Sequence, residues 1–384
     1  MGALIGLDAR MAGPVPSGLG TYASQLARAL TRLDAAHTYV IIRQRLGQSS
    51  MAAGPNVTEI VVDGDIDAPV NLARGGAISR LGLDLYHSLH HFLPLRLRVP
   101  RVVLTLHDLI WVEHRRLIRS GRFAPFSRTV TNLYARAAMG YAVRRADRII
   151  AISEHTAARA AAVFNLARAR IDVIPHGVDG AAFPAGDPDV TPATRVETPP
   201  YFLCVSNTRP YKNIPTALRA FALCAASTGG QAADPESVRL IISGRGDSTG
   251  ELRRLAQRLG VERRVSFTGP LSQPGVLQLL HGARALLFPS IVEGFGFPVL
   301  EAMSAGCPVI ASRAPAVLDV AGDAALCCDA DDPEAFAVAM RRVLGEPGLH
   351  ARLRQAGVSR ARIFTWDRTA ARTLAVYERL LAER

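Results

Sequence analysis

The stretch Glu293-Gly-Phe-Gly-Phe-Pro-Val-Leu-Glu301 decides the fold, because it joins a strand pattern to a helix pattern. It follows the apolar run Ala285-Leu-Leu-Phe-Pro-Ser290, which predicts a buried strand. Pro298 suits the first position of a helix, and Gly306 can adopt the left-handed conformation that ends one. The next apolar run, Cys307–Ser312, predicts another strand. The pattern therefore predicts a strand–loop–helix–strand unit of a parallel α/β sheet.

In this unit, Glu293 is expected in a loop at the carboxyl end of a strand, and Glu301 inside the following helix. Open α/β sheets bind ligands at this edge, and the amino end of a helix favours phosphate. The glycines Gly294 and Gly296 allow a ligand to approach the backbone closely. The plainer interpretation is one glutamate that caps the helix and one that is solvated.

Length and composition favour two globular domains with large cores. The chain has 384 residues, of which 49% are hydrophobic and 20% charged. No apolar run approaches the roughly 18 residues that would span a bilayer. The amino-terminal stretch 1–8 lacks a basic leader and is predicted to be the first strand. The five cysteines include no CxxC pair, so we expect buried thiols in a reducing cytosol.

The positive charge has an unusual distribution between lysine and arginine. The net charge is +12 and the isoelectric point about 10.2, which suits anionic partners such as nucleic acid, anionic lipid or phosphorylated substrates. Lys212 is the only lysine of the chain, and every other basic side chain is arginine. Its position favours a site that needs a compact ammonium, although an arginine-rich composition could also leave one lysine by chance.

Strand and helix patterns alternate through both halves of the chain. A Gly-, Pro-, Asp- and Thr-rich stretch that ends at Pro199-Pro200 separates the halves and reads as a linker. The tail is predicted to be helical over Glu334–Leu344 and over Ala351–Leu381. The predicted organisation is an amino-terminal domain over 1–185, a linker over 186–200, a second domain over 201–365 and a last helix over 366–384.

The Glu293–Glu301 stretch, in this strand–loop–helix–strand setting, resembles the signature of glycosyltransferase family 4, a group of retaining GT-B enzymes. The resemblance implies an α/β GT-B fold, with two Rossmann-like domains facing each other across a cleft. It also implies that the last helix crosses back to the first domain. The first domain would bind the acceptor and the second the nucleotide-sugar donor.

The loop Ser206–Asn213 follows the strand candidate Tyr201–Val205 and resembles the family's diphosphate-binding Arg/Lys loop. Lys212 matches the family's lysine, and Arg209 is its expected partner. Without a metal, positive side chains and backbone amides have to neutralise the leaving diphosphate.

The same resemblance gives roles to the two glutamates and the residues between them. Glu301 would accept hydrogen bonds from the ribose hydroxyls, and Glu293 would contact hydroxyls of the transferred sugar. The amides of Gly294, Phe295, Gly296 and Phe297, with the helix dipole, would face the phosphates. The expected mechanism is a front-face reaction in which the leaving phosphate helps to deprotonate the acceptor.

Three further positions lie at predicted sheet edges. Gly18 and Gly20 resemble the family's flexible loop after the first strand. His107 follows the buried run Val102–Leu106 and matches a family histidine that contacts the donor sugar. Gly244 opens a Gly-Arg-Gly-Asp loop that resembles the family's loop near the nucleotide base; it could also pass for half of a dinucleotide-binding motif.

Other polar groups are given structural or secondary roles. The cluster His87, His90 and His91 could suggest a metal site, but no carboxylate or thiol completes it, so lining of the acceptor side is the alternative. Asp329 and Asp331 are expected in a helix-capping loop. His176, in a segment that resembles the family's domain hinge, is expected to be structural. No metal and no cofactor are predicted.

Segment 101–150 contains ten arginines and three acidic residues, a surplus of seven positive charges. Aromatic residues, among them Trp111 and Tyr134, are interleaved with them. The segment is either a solvated face or a patch that lies on an anionic membrane near a lipid-linked acceptor.

The leading hypothesis is a retaining hexosyltransferase acting on a saccharide acceptor, with GDP-mannose as the preferred donor and a lipid-diphosphate-linked acceptor. We expect it in the cytoplasm, peripheral on the inner face of the membrane. A GT-B sugar-nucleotide epimerase is the second enzyme hypothesis. A basic nucleic-acid-binding protein is the alternative from another class, but no nucleic-acid-binding motif supports it and we predict no nucleic-acid partner.

Overall fold

A computed structural model of the chain describes residues 2–12, 17–44, 50–62, 75–117, 128–178, 199–207, 209–227, 238–244 and 250–383. The predicted linker over 186–200 lies outside these ranges except for its last two residues. The described residues divide into two compact units. The first unit takes them from Met1–Arg115, Ser120–Gly177 and Phe364–Arg384, and the second from Arg116–Arg119 and Val178–Ile363.

The first unit is built on a parallel sheet that has seven strands within the described residues. These strands are β1 (Leu4–Asp8), β2 (Thr38–Arg43), β3 (Val57–Val61), β4 (Leu85–Ser88), β5 (Arg101–Leu106), β6 (Arg148–Ala151) and β7 (Ile171–Val173). The central strands are buried along nearly their whole length, as expected for a parallel sheet covered on both faces.

The strand order of this sheet is β3-β2-β1-β4-β5-β6-β7. The order reverses between β1 and β4, whose registers pair Ile5 with Leu85 and Asp8 with Ser88. A crevice for ligands forms outside the carboxyl ends of the strands at such a reversal. A ligand of the first unit is therefore expected beside the segments that begin after Asp8 and after Ser88.

Helices of the first unit include one from the far end of the chain. They are α1 (Gly18–Leu33), α2 (Gly75–Ser79), α3 (Ile110–Glu113), α4 (Arg128–Arg145), α5 (Glu154–Phe164) and α13 (Trp366–Ala382). Helix α13 packs against α1. The first turns of α13 are held to the segment after β7, because the Thr369 hydroxyl donates a hydrogen bond to the Pro175 carbonyl at 2.8 Å.

The second unit repeats the architecture with six parallel strands among its described residues. These strands are β8 (Tyr201–Val205), β9 (Arg239–Ser243), β10 (Val265–Gly269), β11 (Ala285–Phe288), β12 (Val309–Ser312) and β13 (Leu326–Cys328). The helices between and after them are α6 (Ile214–Ser227), α7 (Glu251–Arg258), α8 (Gln273–Gly282), α9 (Phe297–Ser304), α10 (Pro315–Ala321), α11 (Pro333–Gly345) and α12 (Leu349–Ala361).

The strand order of the second sheet is β10-β9-β8-β11-β12-β13, so its reversal lies between β8 and β11. Leu203 of β8 pairs with Leu286 of β11. The loop after β8 carries Lys212, and the loop after β11 carries Glu293. The topology therefore brings the two loops singled out by the sequence to one edge of one sheet.

Two expectations about secondary structure need correction. The strand β4 was not predicted, because its run of four residues is short and includes a histidine that resembled a metal ligand. The helix expected over Ala351–Leu381 is two helices, α12 and α13, since Thr365 accepts a hydrogen bond from the Arg368 amide and caps the second. Helix α9 begins at Phe297, one residue before Pro298.

The cores and the cysteines agree with the composition. Each unit has its own cluster of buried aliphatic and aromatic side chains on the faces of its sheet. The five cysteines are free thiols, and only Cys327 among them is partly exposed. Within the described residues, no helix is both long enough and apolar enough to cross a membrane.

Candidate functional site

Lys212 and Glu293 form an ion pair at the reversal of the second sheet. The Lys212 Nζ lies 2.6 Å from the Glu293 Oε1, and their side chains are 14% and 9% exposed. The ammonium also lies over the rings of Tyr211 and Phe288, at 5.2 and 5.6 Å from their centres. Because solvent screens such a sheltered pair weakly, the two charges attract each other strongly.

The lysine loop is a single 3₁₀ turn held in place by Asn213. Asn213 adopts a left-handed conformation with φ of 54°, and its Nδ2 donates hydrogen bonds to the carbonyls of Pro289 and Ala330 at 3.2 and 2.6 Å. The Ile291 amide donates to the Tyr211 carbonyl at 2.8 Å. The loops that follow β8 and β11 are thus tied together through their backbones.

Glu301 lies on α9, the helix that begins four residues after Glu293. Its carboxylate makes no hydrogen bond or ion pair with any residue that the structure describes. Burial raises the pKa of Glu301 from 4.5 to about 7. A sheltered carboxylate without a donor is suited to accept hydrogen bonds from the hydroxyls of a ligand.

The loop before α9 brings its backbone to the same edge. Gly296 has φ of 115°, a conformation that side chains other than hydrogen rarely allow, and it precedes the first residue of the helix. Gly294 and Phe295 are buried, and the rings of Phe295 and Phe297 meet edge to face with centres 5.6 Å apart. The amino end of α9 therefore begins in a rigid apolar turn beside Glu293.

Two other predicted residues of the second unit lie nearby in the fold. Arg209 precedes the lysine turn and is exposed. Gly244 follows β9 with φ of 137°, and a Cβ there would lie 1.7 Å from the Ser206 carbonyl oxygen. Glycine is therefore required for the loops after β8 and β9 to touch. The rest of the Gly244 loop, residues 245–249, lies outside the described residues.

In the first unit, the helix that follows β1 begins at Gly18. Ser17 caps it by accepting a hydrogen bond from the Gly20 amide at 3.1 Å, a capping role that the sequence analysis missed. Gly18 is exposed, whereas Gly20 is buried. A Cβ at Gly20 would lie 3.2 Å from the Met11 carbonyl oxygen, so close packing accounts for this glycine. Residues 13–16 of the same loop are not among those described.

His107 follows β5 and is buried. Its Nε2 lies 2.9 Å from the Leu89 carbonyl oxygen, which can only accept, so the ring proton is on Nε2. Its Nδ1 is then an acceptor, and no described residue hydrogen-bonds to it. Burial lowers the pKa of His107 to about 3. His107 is therefore a neutral imidazole whose Nδ1 can accept a hydrogen bond from a hydroxyl.

His107 belongs to a row of four ring-contacting histidines, His90, His91, His107 and His176. Neighbouring ring centres are 4.2, 5.7 and 5.4 Å apart along the row. Burial lowers the pKa of His91 to about 4 and those of His90 and His176 well below 6.5. The Nδ1 atoms of His90 and His91 are buried without a hydrogen bond to any described residue. This histidine row is uncharged at neutral pH.

A buried ion pair beside the histidine row was also missed. Arg10 donates to both carboxylate oxygens of Asp8, at 2.8 and 2.6 Å, and both residues are fully buried. Burial opposes the charge, but the attraction of Asp8 raises the pKa of Arg10. The spacing Asp-Ala-Arg directly after a strand was the available signal. Since Asp8 neutralises this guanidinium, the described part of this edge is suited to uncharged, hydroxyl-bearing groups.

The remaining candidates have structural surroundings. His87 lies within β4 and hydrogen-bonds on both ring nitrogens, to Tyr377 and Thr105. Asp332, next to Asp329 and Asp331, caps α11 by accepting from the Ala335 amide at 2.9 Å. Gly177 packs so tightly on the Trp366 backbone that a Cβ would lie 2.2 Å from its amide nitrogen.

Comparison with known proteins agrees with this architecture. Residues 16–181 match the model of Glycosyltransferase Family 4, and residues 189–360 match that of Glycosyl transferases group 1. A D-inositol 3-phosphate glycosyltransferase of Acidothermus cellulolyticus is 30% identical, covering 96% of this chain and 86% of its own. The O-antigen chain mannosyltransferase B of Escherichia coli is 26% identical over 77% of this chain and 74% of its own.

Solved structures show the same fold. Sucrose-phosphate synthase of Thermosynechococcus elongatus superposes with a TM-score of 0.76 at 20% identity, covering 100% of both chains. WaaG, a glycosyltransferase involved in lipopolysaccharide biosynthesis, gives 0.73 at 17% identity over 97% of this chain and 99% of its own. The fold is GT-B, with two Rossmann-like domains. The chain belongs to glycosyltransferase family 4, as its sequence predicts.

Proposed function

We propose that the chain is a retaining glycosyltransferase that moves a hexose from a nucleoside diphosphate sugar to a saccharide acceptor. The observation that carries the proposal is the sheltered Lys212–Glu293 pair at the reversal of the second sheet, 2.6 Å apart, with Glu301, which has no partner among the described residues, on the adjoining helix. A ligand in which a diphosphate is joined to a ribose needs two kinds of group. A cation and the start of a helix bind the phosphates, and a carboxylate accepts hydrogen bonds from the ribose hydroxyls.

Charge neutralisation of the leaving diphosphate falls to Lys212 and to the amino end of α9. Gly296 presents no side chain at the helix start, so phosphate oxygens can approach the amides. Arg209, exposed at the start of the lysine turn, supplies a second cation. A departing pyrophosphate stabilised in this way needs no metal, and we propose a metal-free reaction.

The nucleoside is held by Glu301 through the ribose hydroxyls, with the Gly244 loop near the base. The hexose is held by Glu293, and in the first unit the neutral acceptor nitrogen of His107 is suited to accept a hydrogen bond from a sugar hydroxyl. Because both glutamates are committed to the donor, a double displacement through a carboxylate nucleophile is disfavoured. We therefore propose front-face transfer, in which the leaving phosphate helps to remove the acceptor proton.

The donor is proposed to be GDP-mannose, and the names of two relatives support mannose as the sugar. The E. coli protein is a mannosyltransferase by name, and an MMP alpha-(1->4)-mannosyltransferase of Mycolicibacterium hassiacum is 38% identical over 35% of this chain and 34% of its own. The Anabaena HepE structures, at 17% identity, contain UDP-glucose or UDP. A panel of GDP- and UDP-sugars in a thermal-shift assay tests the choice, because a ligand at 100 times its Kd stabilises by about 2.7 kcal/mol.

The acceptor is proposed to be a saccharide on a lipid diphosphate, approached from the membrane surface. On α4, Leu133 is 68% exposed, and the exposed Arg136 and Arg144 follow at helical spacing. This face suits an anionic headgroup layer. Sedimentation with vesicles of anionic or zwitterionic lipid tests it; equal binding to both would contradict the proposal.

The epimerase alternative is separated by incubating the donor without acceptor. A transferase should leave the sugar-nucleotide intact or hydrolyse it slowly, whereas an epimerase would release the epimeric sugar or nucleotide. Retention of duplex DNA at physiological salt would instead favour the nucleic-acid alternative.

A further inference from the structure

The only lysine of the chain is already bound before any ligand arrives. Its ammonium lies 2.6 Å from the Glu293 carboxylate, in a place where both side chains are largely sheltered from water. A diphosphate that needs this ammonium must therefore compete with a carboxylate of the same protein. The competition takes place at a short, charge-assisted hydrogen bond, which is among the stronger polar contacts.

Hydrogen bonds hold the backbone on both sides of the pair. Hydrogen bonds from Asn213 to the Pro289 and Ala330 carbonyls, and from the Ile291 amide to Tyr211, fix the main chain of both loops. An exchange of partners therefore needs rotation about side-chain bonds and no rearrangement of the loops.

We propose that Glu293 is a positioning residue that holds Lys212 between turnovers and releases it to the donor's diphosphate. The inference rests on the proposed function. As the ammonium moves to the phosphates, the Glu293 carboxylate receives hydroxyls of the hexose in its place. The donor thus gives each residue a new partner: its diphosphate binds Lys212, and its sugar binds Glu293.

The nucleoside diphosphate product gives a new partner to Lys212 but not to Glu293. A nucleoside diphosphate offers phosphate to Lys212 but brings no hexose hydroxyl to Glu293, which is 9% exposed. A sheltered carboxylate left without a partner costs free energy. The exchange therefore weakens binding of the product relative to the donor, and it favours release of the nucleotide after transfer.

Affinity measurements on Glu293→Gln test this asymmetry. The amide has nearly the shape of the carboxylate but no charge to hold Lys212. We expect GDP or UDP to bind about tenfold more tightly to the variant than to the wild type, while kcat falls. The matched control is Glu346→Gln, which removes the carboxylate from the exposed pair with Arg342 and should leave both quantities unchanged. An unchanged or weaker affinity in Glu293→Gln would overturn the proposal.

The single lysine allows a direct measurement on the wild-type protein. Incorporation of lysine labelled with ¹³C at Cε gives one side-chain signal, which belongs to Lys212. The free proteins should differ, with the signal of Glu293→Gln displaced from that of the wild type. With saturating GDP or UDP the two signals should coincide, because the ammonium has left position 293 in both.

The wild-type titration remains decisive if Glu293→Gln does not fold. A nucleotide that binds by calorimetry but leaves the Lys212 signal in place would overturn the exchange and leave the glycosyltransferase proposal standing. Failure of GDP, UDP and every sugar-nucleotide of the panel to bind the wild type would overturn both.

Discussion

The hydroxyl of Tyr377 lies 2.5 Å from Nδ1 of His87, which joins the last helix of the chain to a central strand of the first sheet. Nε2 of the same ring lies 2.8 Å from Thr105 Oγ1, and Thr105 lies 2.9 Å from the Tyr22 hydroxyl on α1. Burial lowers the pKa of His87 to about 3, so the ring stays neutral. Helices α13 and α1 are thus pinned to the sheet through one buried polar chain.

Removal of the Tyr377 hydroxyl should destabilise the first unit. Tyr377→Phe leaves a buried nitrogen of His87 without its partner, which costs about 1–3 kcal/mol. Urea unfolding followed by circular dichroism measures the loss. Tyr141→Phe is the control, since the Tyr141 hydroxyl reaches the Pro94 carbonyl only at 3.5 Å. Equal stability of the two variants would show that the hydrogen bond between Tyr377 and His87 does not stabilise the first unit.

Loss of the lone ammonium should slow the reaction. We expect Lys212→Ala to reduce turnover by about 10²-fold or more, as when one transition-state donor is removed. Lys212→Arg should restore little, because a planar guanidinium does not replace a compact ammonium in a sheltered turn. Release of nucleotide from the preferred donor is the readout, with Arg342→Ala as a surface control. Near-normal turnover of Lys212→Ala would contradict the diphosphate role.

Donor binding should depend on pH through Glu301. Ribose hydroxyls donate most strongly to the ionised carboxylate, so affinity for a sugar-nucleotide should rise with pH and level off above about 7, where Glu301 is ionised. Well below that pH, each unit should weaken binding by up to about tenfold. Calorimetry with GDP-mannose avoids titration of a terminal phosphate. Glu301→Ala should bind less tightly, and Glu301→Gln should lose the pH dependence.

Metal removal should leave the reaction intact. Lys212 and the amino end of α9 are proposed to carry the neutralisation, so turnover should be the same in EDTA and in added Mg²⁺. Activity that disappears in EDTA and returns with Mn²⁺ would replace this metal-free assignment with a metal-dependent one.

The first unit should lose stability as the pH falls below 6.5. His87, His90, His91, His107 and His176 have folded pKa values below the 6.5 of an unfolded histidine, so the unfolded chain binds more protons as the pH falls below 6.5. Each contributes a loss of up to about 1.4 kcal/mol per pH unit until its folded pKa is reached. Calorimetric melting between pH 7.5 and 5.5 measures the loss.

The matched variant for this prediction is His91→Phe. It removes one titrating ring and a buried nitrogen without a hydrogen bond to any described residue. The variant should keep its stability at pH 7.5 and lose less than the wild type at pH 5.5. A parallel decline would show that His91 does not titrate on unfolding.

Local patterns in the sequence predicted the parts of the site that are contiguous. The strand, loop and helix around Glu293 and Glu301 follow from apolar runs, glycines and a proline within some twenty residues, and β11 lies within the run Ala285–Ser290 that predicted it. Where adjacent residues decide conformation, pattern is sufficient.

Contacts between distant residues were beyond such reasoning. Lys212 and Glu293 are 81 positions apart, and their pairing follows from the strand order, which a list of strands does not contain. Tyr377 and His87 are 290 positions apart, and the sequence indicated only that His87 clusters with His90 and His91. The buried Asp8–Arg10 pair was missed, since sequence alone does not show that both charges are inside.

The membership of α13 in the first unit has a consequence for synthesis on the ribosome. During synthesis, the amino-terminal half of the chain is complete before α13 exists. The side of its sheet that Tyr377 contacts stays exposed until residues 178–363 have also been translated. At about 5–20 residues per second, this interval is roughly 10–40 seconds. During that time the first unit lacks α13, and a stop codon at position 364 should prevent it from completing its fold.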